Sequence, residues 1–256
     1  MDWQGHLFPN MTLEERKRVA EAFVKAANGR LKIWVHVGHP CIEDARALFK
    51  HAYEIGADAG SAVASFYFKP QDLDTLLACM KAISEVELRL PFYFYHIPAI
   101  TGLQVNVDEF IQKAMATMPN FQGVKYTANT IWEYQNCVQK YGDRINVLYG
   151  YDEMLLPALA AGAKAAIGST YNFAAPLYLQ VMDAFHAGDL DTARARMNLL
   201  IEMVCEMVKF SPIPAQKAIM GILGNEVGGS RLPLNSLKEA EIAALRTRLK
   251  EIGFID

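Results

Sequence analysis

Phe121-Gln122-Gly123-Val124-Lys125-Tyr126-Thr127 reads as a short buried strand, an apolar and aromatic run of strand length with a helical pattern on either side. Outward from it in both directions the same alternation repeats. The runs at 33–37, 62–66, 91–95, 123–126, 145–149 and 165–168 are each expected to be a buried strand. Between them lie stretches at helical spacing, such as the face of Ala45, Leu48, Phe49, Ala52 and Ile55 and the face of Leu73, Leu76, Leu77, Met80 and Ile83. Strand and helix in strict alternation imply a parallel sheet covered by helices, either doubly wound or closed into a barrel. A doubly wound nucleotide binder carries a glycine fingerprint after its first strand. Here that turn reads Gly38-His39-Pro40-Cys41, which is neither GxGxxG nor a P-loop. The glycines from Gly221 to Gly229 follow a helix and read as a surface loop. The expected class is therefore α/β, a TIM (β/α)8-type barrel.

The ends of the chain modify that picture. A first helix is expected to open at Thr12, capped by its hydroxyl and by Glu15, with Val19, Phe23, Val24 and Ala27 on its buried face. After Gly168 the pattern is wholly helical. It gives a C-terminal helical extension from about residue 174, broken by Pro212 and Pro214, and a last helix from Ser236 that turns Ile242, Leu245, Leu249 and Ile252 inward. Residues 1–256 are read as one domain. A barrel of this class needs eight strands, and residues 1–11 are too few to add two strands and a helix to the six runs found. The expectation is a barrel lacking its first two strands, with sheet edges left open or as a shortened version of a longer protein.

Composition narrows the partners. The chain has 25 basic and 28 acidic side chains, a net charge of −3 and no basic stripe, which argues against nucleic acid and anionic membrane. No apolar run is long enough to cross a bilayer and no signal peptide is evident, so a cytoplasmic location is expected. Cys41, Cys79, Cys137 and Cys205 are widely spaced and are read as reduced core thiols. His36 and His39 are the one close histidine pair, with no carboxylate at ligand spacing. No metal is expected, and His36 is read as a core or mouth residue.

Strand alternation puts Gly123, Lys125 and Thr127 on one face. A lysine near the C-terminal end of a barrel strand lies where such barrels keep their active sites. Burial favours its neutral amine, able to attack a ketone, and the resulting iminium is an electron sink for C–C cleavage. The bland alternative is a strand-end lysine that snorkels to solvent. Tyr95 ends the strand before Lys125's own and could bring a phenol to the same mouth to relay a proton, or could simply pack. Asp152 and Glu153 follow the next strand. They could accept hydrogen bonds from a polyhydroxylated substrate, or merely favour the start of the following helix. Ser169, Thr170 and Asn172 add donors at the same end of the last strand.

Four stretches together, Tyr95-His96-Ile97-Pro98-Ala99-Ile100-Thr101-Gly102, Gly123-Val124-Lys125-Tyr126-Thr127, Gly150-Tyr151-Asp152-Glu153 and Ile167-Gly168-Ser169-Thr170-Tyr171-Asn172, resemble the N-acetylneuraminate lyase branch of the dihydrodipicolinate synthase superfamily. The resemblance runs from about Thr12 to the C-terminus. It implies a TIM barrel, usually a homotetramer, that needs no cofactor and cleaves N-acetylneuraminate reversibly to pyruvate and N-acetylmannosamine. Lys125 matches the Schiff-base lysine and Tyr95 the catalytic tyrosine. Thr127, Gly150, Asp152, Glu153 and Ser169 match positions that contact the sugar, and Tyr67 matches a tyrosine near the site. Dihydrodipicolinate synthases usually carry an arginine after the tyrosine, where this chain reads Ala99-Ile100-Thr101, which favours the sialic acid branch.

The chain departs from the family at its start. Members carry a Gly-[Ser/Thr]-Thr-Gly-Glu loop that holds the pyruvate carboxylate, where this sequence reads Asp2-Trp3-Gln4-Gly5-His6-Leu7-Phe8-Pro9-Asn10. Loss of that anchor is expected to weaken the Michaelis complex. Two rival readings follow: another pyruvate-dependent aldolase or dehydratase of the superfamily, and an inactive truncated relative.

Overall fold

A computed structural model of the chain describes residues 10–256. The expectation of a missing carboxylate loop falls on residues 2–10 and so lies almost entirely outside the described residues. The chain forms two compact units. One runs through Tyr151 and includes Ala161–Ile167, and the other comprises Asp152–Ala160 and Gly168–Asp256.

In the first unit, α1 (Leu13–Ala27) starts with the expected capping box: Thr12 Oγ1 accepts from the Glu15 N–H at 3.2 Å, and the Glu15 carboxylate accepts from the Thr12 N–H at 3.0 Å. Its buried stripe differs from expectation. Arg16, Ala20 and Ala27 are buried whereas Phe23 is 44% exposed. The cause is Arg16, whose guanidinium turns inward to donate to the carbonyls of His36 at 2.7 Å and Gly38 at 3.0 Å, carrying the helix face round with it.

Five strands follow: β1 (Trp34–His36), β2 (Ala59–Val63), β3 (Phe92–His96), β4 (Phe121–Tyr126) and β5 (Asn146–Tyr149). They lie side by side in chain order and every pairing is parallel. Among them run α2 (Ile42–Glu54), α3 (Leu73–Ser84), the single turn α4 (Pro98–Thr101), α5 (Val107–Thr117) and α6 (Ile131–Tyr141). The expected helix faces bury Ala45, Leu48, Phe49 and Ala52 in α2, and Leu76, Met80 and Ile83 in α3.

Two strand expectations need correction. The second strand lies at Ala59–Val63, earlier than 62–66, because its small residues make room for α2. A methyl group on Gly60 would come within 2.5 Å of the Phe49 ring, so a bulkier strand could not sit under that helix. The run at 165–168 supplies an isolated bridge rather than a strand: the Tyr149 N–H donates to Ala165 O at 3.2 Å and the Ile167 N–H to Tyr149 O at 2.8 Å. Among the described residues the sheet does not close on itself.

The alternation of each strand sorts its side chains. Phe92 and Phe94 pack towards the helices, against Phe49 and Phe110. On the opposite face Tyr93 clusters with Ala59, Leu148 and Ile167, stacks on Trp34 at 3.9 Å and accepts from Asn146 Nδ2 at 2.8 Å. Tyr95 and Lys125 lie on that same face, nearer the C-terminal strand ends.

In the second unit a 3-10 turn at Asp152–Met154 leads into α7 (Leu155–Ala160), followed by α8 (Tyr171–His186), α9 (Leu190–Met207), α10 (Pro212–Ile222) and α11 (Glu239–Glu251). Helices α8 and α9 bury Tyr178, Val181, Ala193, Met197 and Leu200. The last helix begins after Lys238 instead of at Ser236. Glu241 caps the Lys238 N–H at 2.7 Å, while the Ser236 hydroxyl is taken by the Ser230 N–H at 2.8 Å.

The thiols are free, but only Cys137 is a core residue; Cys79 is half-buried, and Cys41, preceding α2, and Cys205, on the outer side of α9, are exposed. Among the described residues no helix is long and apolar enough to cross a membrane, and no group of three or more His, Cys, Asp or Glu could hold a metal ion.

Candidate active site

Strand pairing in the first unit brings Lys125 beside Tyr95. The two residues are register partners in β4 and β3, and Leu148 of β5 flanks Lys125 on its other side. Both side chains are buried, Lys125 at 8% and Tyr95 at 4% exposure. The lysine Nζ lies 4.0 Å from the centroid of the tyrosine ring, where a protonated ammonium gains a cation–π attraction. His36 of β1 is buried on the other side of Tyr95, its ring edge-on with centroids 6.0 Å apart. The Arg16 guanidinium grips the backbone of this β1 end.

Thr127 and Gly150 complete this cluster. The chain beyond β4 is held by the Thr127 N–H donating to His96 O, and beyond β5 by the Gly150 N–H donating to Tyr126 O, both at 2.8 Å. The Thr127 hydroxyl is buried and has no hydrogen-bond partner among the described residues. A methyl on Gly150 would overlap that hydroxyl and approach Lys125 Cε to 3.2 Å. Glycine at 150 therefore keeps open the space that Lys125 and Thr127 share.

The far face of β4 is braced. Tyr126 donates to Glu133 Oε2 at 2.6 Å, and its burial pushes its pKa well above the usual phenol range. His96 packs beside Tyr126 and Phe94, and burial lowers its pKa to about 4, so it is neutral at pH 7.

The second unit holds a polar group of residues of its own. The buried Asp152 carboxylate accepts from the Thr170 N–H at 2.8 Å and from Thr170 Oγ1 at 2.7 Å, and Ser169 Oγ lies 3.4 Å away. With its proton committed to Asp152, the Thr170 hydroxyl accepts from Tyr178 Oη at 2.7 Å. Gln216 Nε2 donates to Ser169 Oγ at 3.0 Å. A methyl on Gly168 would overlap the Asp152 carboxylate. This carboxylate thus fixes the first turn of α8, in the position that complements a helix dipole. Glu153 is half-buried; burial, and next the charge of Asp152, raise its carboxyl pKa.

Of the residues singled out from sequence, Lys125, Tyr95, Thr127 and Gly150 come together in one unit, and Asp152 and Ser169 in the other, with Glu153 next in the chain. Tyr67 is 77% exposed with its ring edge-on to Phe68 at 4.9 Å, and no contact among the described residues joins it to Lys125. Tyr178 and Gln216 were not foreseen. Tyr178 reads in sequence as one more buried aromatic on a helix, and nothing in the sequence around Gln216 points 47 residues back to Ser169.

Chemically, the first cluster offers a buried primary amine beside a phenol at the C-terminal ends of parallel strands, where amine attack on a carbonyl and proton relay are both within reach. The sequence profile of the dihydrodipicolinate synthetase family matches residues 7–252. The N-acetylneuraminate lyase of Xenopus tropicalis is 38% identical over 250 residues, covering 96% of this chain and 82% of its own. That of Rattus norvegicus is 32% identical over 250 residues, covering 96% and 78%. Among solved structures, N-acetylneuraminate lyase from Proteus mirabilis superposes with a TM-score of 0.92 at 32% identity, covering 96% of this chain and 83% of its own. The enzyme from Aliivibrio salmonicida also gives 0.92, at 34% identity, covering 96% and 82%.

Proposed function

The chain belongs to the dihydrodipicolinate synthetase family, and on that premise we propose that it is a class I aldolase that cleaves N-acetylneuraminate to pyruvate and N-acetylmannosamine. The observation that carries this reading is the buried Lys125 set against Tyr95 by strand register. The five parallel strands and the Tyr149–Ala166 bridge are read as six of the eight βα units of the family's barrel, the helices from about residue 174 as its C-terminal extension, and the whole as one domain.

Lys125 Nζ, as the free amine, attacks the C2 ketone of the open-chain sugar acid, and the carbinolamine loses water to leave a protonated imine. A base removes the proton of the C4 hydroxyl, the C3–C4 bond breaks, and its electron pair flows into the iminium to give an enamine as the aldehyde sugar departs. Protonation of the enamine at C3 and hydrolysis return pyruvate and the free amine. The Tyr95 phenol is assigned the proton relay, because it is the titratable group that register places beside Lys125. Thr127, with its buried hydroxyl at the edge opened by Gly150, is assigned to the substrate. Glu153, Ser169 and Asp152 are assigned to the polyhydroxyl portion and Tyr67 to its periphery, on the family resemblance. The lysine is its own electron sink, so no cofactor is required. A homotetramer acting in the cytoplasm is part of the same reading.

The test is intact-mass spectrometry after incubation with pyruvate and borohydride, in the parent and in Lys125→Ala. A reduced pyruvate adduct in the parent alone is expected, with sialic acid cleavage lost in the variant. No adduct from folded parent protein would overturn the assignment.

A further inference from the structure

The loop joining α10 to α11, whose glycines read from sequence as surface punctuation, walls a cavity of about 330 Å³ within the second unit. That size is at the lower end of small-molecule sites, about 300–1,000 Å³. Pro214, Ile222 and Ile242 give the cavity an apolar side. Its charged lining is predominantly cationic, with Lys217 and Arg246 against Glu226.

The loop itself is built tightly. Gly228 has φ +68°, and a methyl on Gly229 would come to 2.5 Å from Ser236 Oγ, so the chain folds directly over the Ser236 hydroxyl, which accepts from the Ser230 N–H. Lys217 Nζ donates to Val227 O at 3.0 Å, which ties the loop to α10 and leaves two of the three ammonium hydrogens for other acceptors. Ser230 Oγ, in the cavity wall, is buried and has no hydrogen-bond partner among the described residues. A guest with anionic oxygens would accept from Lys217 and Arg246 and satisfy the buried hydroxyl.

We propose that this cavity binds a small anionic molecule through a phosphate or carboxylate group held by Lys217, Arg246 and Ser230, with its apolar portion against Ile222 and Ile242. The site draws on none of the residues assigned to aldol cleavage, and stands or falls independently of that reading.

The experiment is calorimetric titration of the full chain with inorganic phosphate and, separately, acetate, at an ionic strength held constant with chloride. Saturable binding of phosphate alone identifies a phosphate-bearing guest, and saturable binding of acetate a carboxylate one. Arg246→Gln is expected to weaken binding about fivefold, as loss of a partly exposed charge contact does. Glu226→Gln, which removes the opposing charge, is expected to tighten it by a factor of about three. Both side chains are at exposed positions, so both variants are expected to fold, and an unchanged circular dichroism spectrum and thermal unfolding midpoint serve as the check. Absence of saturation above the chloride control, or equal affinity in parent and both variants, overturns the proposal.

Discussion

Lys125 and Tyr95 face each other across adjacent parallel strands, with the lysine nitrogen 4.0 Å from the ring centroid. Strand pairing sets their separation, so the contact does not depend on how a loop closes. A phenylalanine at 95 would keep the ring against the amine and remove only the hydroxyl. Tyr95→Phe is therefore expected to form the pyruvate adduct while turnover of N-acetylneuraminate falls about a hundredfold or more, the usual loss for a proton-transfer group. Adduct formation by mass and steady-state cleavage rates, measured side by side, check this. Undiminished turnover would remove Tyr95 from the proton relay.

Gly150 is expected to tolerate no side chain while Thr127 keeps its hydroxyl. Gly150→Ala forces the overlap described above into a packed site and should cost about 1–3 kcal/mol. Thr127→Ala in the same chain should recover much of that loss. A double-mutant cycle by urea unfolding is expected to show coupling of about 1 kcal/mol or more. Additive effects would mean that the two positions do not share space.

Asp152 accepts two hydrogen bonds from Thr170, one from the backbone and one from the hydroxyl. Asp152→Ala leaves both donors buried without an acceptor and should destabilise by about 3 kcal/mol or more, since bonds to a charged group contribute about 1.5–3 kcal/mol each. Asp152→Asn keeps one acceptor oxygen and should cost less. Thermal unfolding of the two variants gives the order, and equal losses would argue that the carboxylate is not holding α8.

His96 makes stability depend on pH. Its folded pKa of about 4 lies below the unfolded value of about 6.5, so between those values the unfolded chain binds a proton that the native one does not. The contribution is fully present above about pH 6.5 and is lost as the pH falls towards 4, by on the order of 1.4 kcal/mol per pH unit. Urea midpoints at pH 7, 6 and 5 should fall more steeply in the parent than in His96→Asn. Parallel slopes would place the proton uptake elsewhere.

Much of this was legible in the sequence where side chains are large and periodic. The faces of α2 and α3, the capping box at Thr12 and the placing of Lys125 all follow from apolar spacing, a Thr-Glu pair and period-2 alternation. The second strand is hard to place from sequence because Ala59-Gly60-Ser61 has little intrinsic strand character; pairing with β1 and β3 makes it a strand, and Gly60 leaves room for the Phe49 ring. The face of α1 differs from its apolar spacing because that spacing cannot foresee an arginine buried for the sake of two carbonyls. The last helix, expected from Ser236, starts only after Lys238, and the Ser236 hydroxyl serves Ser230 instead. In the site, residues with chemistry of their own stood out, whereas Gln216 and Tyr178 act only through neighbours remote in sequence.

The division of the chain between its units has a consequence for dissection. The polypeptide leaves the first unit after Tyr151, returns for Ala161–Ile167 and leaves again at Gly168. A single scission after Tyr151 strips the first unit of the segment that bonds to Tyr149, and one after Ile167 takes Asp152 away from Thr170. Neither cut yields two self-sufficient fragments. A split reporter or a piecewise expression strategy would need both pieces to reassociate, whereas an insertion at an exposed turn leaves both interruptions intact.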